Sequence, residues 1–152
     1  MLTITLLGTA ATMPLPDRAL TAAVAECGGH SLLFDCGEGT QTAARRAGVN
    51  LMKMDAVCLT HYHGDHIFGL PGLLQTLGCQ GRTRPLALYG PKGLGEVWAA
   101  LRVLTFCSAI PPMLCRSRPR RPNSTATAPS GRAQPSPPKR ARSGSGSSTI
   151  RP

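Results

Sequence analysis

After Cys115 the sequence offers one large aliphatic residue, Ile150, in its last 37 positions. That break bounds everything the chain can fold into. The stretch RSRPRRPNSTATAPSGRAQPSPPKRARSGSGSSTIRP holds seven Pro and eight Ser. It cannot bury enough apolar surface to offset the entropy of ordering it. A disordered Arg/Pro/Ser-rich tail is therefore expected over 113–152, and a single folded domain over 1–112, long enough for a modest core. The tail also holds eight Arg and Lys139 with no acid. The eight remaining basic residues face all seven acids, so residues 1–115 carry +1 of the total +10. Net charge thus says little about the folded part. Two readings of the tail stay open. It is a basic arm that grips nucleic acid through phosphates, or it is the product of a GC-rich gene read out of frame. The abrupt onset favours the second.

Other classes fall away on composition. Six cysteines at irregular spacing, with no C-x-x-C, do not form a disulfide framework and suit a reducing cytoplasm. The start MLTITLLGTAATMP lacks the basic n-region of a signal peptide, and its apolar run is short and alternating. No stretch approaches the roughly 18 apolar residues of a membrane span.

Within 1–112 the patterning reads as α/β. Leu2, Ile4 and Leu6 alternate with Thr3 and Thr5, a strand closing at Gly8. Thr21–Glu26 and Ser31–Asp35 are two more, joined through Gly28-Gly29, a hairpin signal. His30 borders that turn as an exposed edge residue. Residues 38–47 are helix-permissive and stop at Gly48; 56–60 form a buried strand that delivers the chain to His61. A helix is expected over 67–77, a strand over 86–89, and an amphipathic helix carrying Leu94, Val97, Trp98, Leu101 and Leu104. The order β-β-β-α-β-α-β-α suggests an α/β sandwich.

The chemistry concentrates in THYHGDH, residues 60–66, which holds three of the four histidines. At a strand end, His61 and His63 are two apart and project to one side. Gly64 allows a tight turn, after which Asp65 and His66 face the same space from a second direction. That arrangement suits two adjacent metal ions, one on His61 and His63, the other on Asp65 and His66. Imidazole with carboxylate favours zinc, with manganese or iron as competitors. A metal pair roughly 3.5–4 Å apart serves hydrolysis by steadying both attacking and leaving oxygens.

H-x-H-x-D-H after a strand is the signature of the metallo-β-lactamase superfamily, and the flanking blocks are sharper. LLGT (6–9), FDCGEGTQ (34–41), THYHGDHIFGLPGLL (60–74) and LYGPKG (88–93) together resemble the ribonuclease Z family of tRNA 3′-processing endonucleases. Relatives outside that branch usually carry a paired glycine where this chain has Gly69-Leu70-Pro71-Gly72. The resemblance runs from about Leu2 to Leu104. It implies the N-terminal half of an αββα sandwich and a homodimer that removes the 3′ trailer from tRNA precursors. It implies two zinc ions on His61, His63, Asp65 and His66, with Asp65 also the proton acceptor for the attacking water. Asp35 is expected behind the site, fixing the orientation of a ligand. The family completes its site with two further histidines and a bridging aspartate from its second half. No histidine follows His66 and no acid follows Glu96 here, so a truncated chain, inactive alone, is expected. Another hydrolase of this fold and a non-catalytic RNA-binding fragment are the alternatives.

Overall fold

The computed structural model describes residues 1–105 and 113–117. Six strands lie in sequence order in one sheet. Strands β1 (Leu2–Gly8), β2 (Ala22–Cys27) and β3 (His30–Phe34) form an antiparallel meander. From β3 onward β4 (Ala56–Cys58), β5 (Leu86–Gly90) and β6 (Met113–Ser117) add in parallel. Parallel neighbours need long crossovers. Helices α1 (Thr40–Arg46), α2 (Gly64–Ile67), α3 (Leu70–Cys79) and α4 (Leu94–Leu104) occupy those connections, with a 3₁₀ turn at Leu51–Lys53. The β2–β3 hairpin turns through Gly28 (φ 57°) and Gly29 (φ 82°), both in the left-handed region that glycine enters without strain.

One row of side chains crosses the sheet in register: Val24, Leu33, Val57 and Leu88, each fully buried. Helix α3 sets Leu70, Leu73, Leu74 and Leu77 into the same core at i, i+3, i+4 and i+7 spacing. Among the described residues nothing covers the other face of the sheet. There Leu2, Ile4 and Leu6 are 60–69% exposed, and Phe34, Tyr89 and Leu114 point the same way from later strands. The described residues are thus one helical layer on one sheet, as expected of the N-terminal half of an αββα sandwich. Among them no helix is long and apolar enough to cross a membrane.

Three expectations need correction. The helix expected over 67–77 is two helices broken at Phe68–Gly69. The Gly69 N–H donates to the Cys36 carbonyl at 2.9 Å, and a Cβ on Gly69 would lie 2.1 Å from the Gly37 carbonyl oxygen. That backbone approach, open only to glycine, turns the chain before Pro71 starts α3. The strand at 56–60 ends at Cys58, because a side chain takes the Thr60 N–H. The domain limit at 112 falls short: Met113–Ser117 pairs with β5, and Met113 packs on the core. The backbone of β5 supplies a pairing edge that composition does not register. The rest of the expected tail, 118–152, lies outside the described residues, as does Cys107.

Candidate metal centre

The centre is built where two adjacent parallel strands end. At the end of β3, Asp35 sits 3% exposed at φ 57°. Left-handed backbone is costly for a non-glycine residue and is held only when its surroundings demand it. Here the demand is visible. The Asp35 N–H donates to the Cys58 carbonyl at 3.0 Å, and its carboxylate turns toward the end of β4. Asp35 Oδ1 accepts the Thr60 N–H at 2.8 Å. The Thr60 hydroxyl donates to the same carboxylate, 2.8 Å from Oδ2, and His66 Nδ1 lies 2.9 Å from Oδ2.

Those bonds fix two tautomers. An ionised carboxylate only accepts, so His66 Nδ1 carries the proton, and in the neutral ring Nε2 keeps its lone pair. Thr60 has spent its one proton on Asp35. Its oxygen, 3.0 Å from His61 Nδ1, therefore accepts from that nitrogen, and His61 Nε2 is left with a lone pair as well. One buried carboxylate thus prepares two imidazoles as donors, the second through a threonine hydroxyl. This is the outer-shell arrangement by which metal-ligating histidines are oriented.

The prepared atoms meet in pairs. His61 Nε2 stands 3.1 Å from His63 Nδ1, and His66 Nε2 stands 3.6 Å from Asp65 Oδ2. The His61 and His66 rings are 4.0 Å apart, centroid to centroid, so the two pairs are neighbours. With zinc–nitrogen bonds of about 2.0–2.1 Å, two donors on one tetrahedral ion stand about 3.3 Å apart. Both pairs lie close to that spacing, which a shared cation or a hydrogen-bonded proton satisfies. The donor set fits metal. Among the described residues no three His, Cys, Asp or Glu side chains are placed to hold one ion together. The donors come two by two.

Backbone clamps hold the loop in place. The Cys36 N–H donates to the His66 carbonyl at 2.8 Å, and a Cβ on Gly37 would lie 2.3 Å from the Asp65 carbonyl oxygen. Asp65 Oδ2 accepts the Thr12 N–H at 3.0 Å. That bond is the main reason its carboxyl is held below the usual carboxylate range. The carboxylate stays ionised. Cys36 and Cys58 take no part. Burial pushes the Cys36 thiol up to about 12, and Cys58 is raised for the same reason, so neither supplies thiolate near neutral pH.

All four residues singled out in the sequence, His61, His63, Asp65 and His66, come together, and Asp35 stands behind His66. His30 is remote, 79% exposed and 3.4 Å from Asp55. Thr60 and Thr12 were not foreseen. A hydroxyl residue directly before the first histidine is a legible signal for Thr60. Thr12 acts through its backbone N–H and leaves no mark in composition.

Residues 19–140 match the metallo-beta-lactamase superfamily. Ribonuclease Z of Agathobacter rectalis is 55% identical over 104 residues, 68% of this chain and 34% of that protein. Ribonuclease Z of Lachnoclostridium phytofermentans is 56% identical over the same length, with the same coverage. The short form of human tRNase Z superposes with a TM-score of 0.67 at 39% identity, covering 76% of this chain and 43% of that one. The chain thus spans about a third of the length of the curated relatives it matches. A strand-end carboxylate behind a paired-donor loop, on a sheet covered by helices on one face, agrees with that match, and the chain belongs to the metallo-beta-lactamase superfamily.

Proposed function

We propose that this chain carries the metal-loop part of a zinc-dependent endoribonuclease that removes the 3′ trailer from tRNA precursors. The observation that carries the reading is the 55% identity to a ribonuclease Z over 104 residues. The geometry of the loop supports it. His61 and His63 would hold one zinc, Asp65 and His66 the second, with manganese as an alternative. When bound, such ions supply an activated nucleophile at neutral pH and offset charge on the phosphate. The chain's own residues do the rest. Asp35 and Thr60 keep the Nε2 lone pairs of His66 and His61 aimed at the centre. Asp65, kept ionised by the Thr12 N–H, is the proton acceptor that orients and deprotonates the attacking water. A homodimer acting in the cytoplasm follows from the same resemblance.

A catalytic zinc normally has three protein ligands, and this loop supplies two per ion. Weak zinc binding and no cleavage are therefore expected of the chain by itself. The test is cleavage of a 3′-extended tRNA precursor by two proteins, with zinc or manganese supplied. One is the 152-residue chain; the other joins residues 1–117 to the remaining length of the Agathobacter enzyme. The joined protein should cut after the discriminator nucleotide, and Asp65→Ala should abolish cutting without loss of fold. A joined protein that binds zinc tightly yet leaves the precursor whole refutes the reading.

A further inference from the structure

Six of the twelve exposed large apolar side chains among the described residues have a common explanation. Leu2, Ile4, Leu6, Phe34, Tyr89 and Leu114 share one sheet face, in register. Phe68 does not belong to that set. It stands at the end of α2, 65% exposed, on the turn that carries Asp65 and His66. Its N–H donates to the Gly64 carbonyl at 2.9 Å. Its ring lies over the Gly64 α-carbon, where a Cβ would come within 2.4 Å of Cε2. One side of the ring is thus pinned to the backbone between His63 and Asp65, and much of its surface stays open to solvent.

We propose that Phe68 is a stacking platform for a nucleobase beside the metal centre, and so a specificity-determining residue for single-stranded RNA. The inference rests on the endoribonuclease reading and deepens it. A phosphodiester held over His61, His63, Asp65 and His66 brings its flanking bases within a few ångströms of the loop, and every base offers a π-face. Stacking is sequence-tolerant and needs an unpaired base, which a tRNA 3′ end supplies. Gly64 fixes the platform in advance, because any side chain there would displace the ring.

The test separates base from phosphate. The full chain is titrated with a short single-stranded oligoadenylate and with an abasic sugar-phosphate strand of equal length. Any contact between basic residues and phosphates is common to both strands. The oligoadenylate should bind about ten-fold more tightly, the size of one base stacked on one ring. Phe68→Leu should erase that preference, and Phe68→Tyr should keep it. Phe68→Trp in a Trp98→Phe background places the only indole at the loop, and oligoadenylate should quench it where the abasic strand does not. Circular dichroism verifies that each variant is folded. Equal binding of the two strands, a preference that survives Phe68→Leu, an indole indifferent to RNA, or no binding at all overturns the proposal. Failure of the endonuclease reading is a separate result. A joined protein that never cuts tRNA precursors, beside a chain that still stacks adenine on residue 68, would remove the reaction and leave the platform.

Discussion

Replacing Asp35 tests the argument for the metal centre at its root. The carboxylate accepts from the Thr60 N–H, the Thr60 hydroxyl and His66 Nδ1, all within 3.0 Å, in a residue 3% exposed. Asp35→Ala leaves those donors without their charged acceptor, each such bond being worth about 1.5–3 kcal/mol. It also puts alanine at φ 57°, costing about 1–2 kcal/mol. Water entering the space relieves part of that, so a net loss of about 3–5 kcal/mol is expected. Asp35→Asn is the sharper variant. Asparagine tolerates the left-handed backbone, fits the same space, and can still accept from Thr60 through Oδ1. Its Nδ2 donates where Oδ2 accepted, so His66 Nδ1 must give up its proton and Nε2 must take one. The ring keeps its place and loses its lone pair toward the centre. Zinc affinity should fall about 10–100-fold, the usual effect of losing an outer-shell partner, with a small change in stability. Urea unfolding of the full chain and zinc competition against a chromophoric chelator read the two quantities apart. An Asp35→Asn chain that binds zinc as tightly as its parent would refute the tautomer argument. An Asp35→Ala chain with an unchanged unfolding midpoint would refute the burial argument.

Two further outcomes follow from other parts of the molecule. The Ser31 N–H, 2.8 Å from Asp55 Oδ2, is the main cause holding Asp55 below the usual carboxylate range, with Arg84 adding to it. A depressed folded value means that Asp55 contributes stability above the ordinary carboxylate pKa and loses it as pH falls through the folded one. Asp55→Asn should therefore flatten the acid limb of a stability–pH profile from urea unfolding; an unaltered limb counts against it. The bare sheet face should bind a hydrophobic fluorescent dye. Ile4→Lys and Leu6→Lys should lower that signal at little cost in stability, since both side chains are more than half exposed, and a signal that is unmoved would locate the dye elsewhere.

What the sequence made legible follows from what each feature depends on. Alternation placed β1, β2 and β3, because side chains on a half-covered sheet answer to a period of two. Helical spacing placed α4 at Leu94–Leu104, the observed bounds. The clustering of His61, His63, Asp65 and His66 was legible because these side chains are chemically distinctive and adjacent in sequence. Features that depend on backbone meeting backbone were hidden. The break between α2 and α3 needs the Gly69 N–H to find Cys36, more than thirty residues away, and β4 ends early because Asp35 reaches Thr60 across two strands. Strand β6 is the extreme case. Its residues Met113–Ser117 are mostly exposed and carry little apolar pattern, so only the open edge of β5 defines them. Thr12 belongs to the same class. At φ 66° it aims a backbone N–H at Asp65 from a loop 53 residues upstream, a task that asks of the side chain only that it tolerate left-handed backbone. Substituting Thr12 by glycine, which enters that conformation freely, should leave the Asp65 carboxylate as it is.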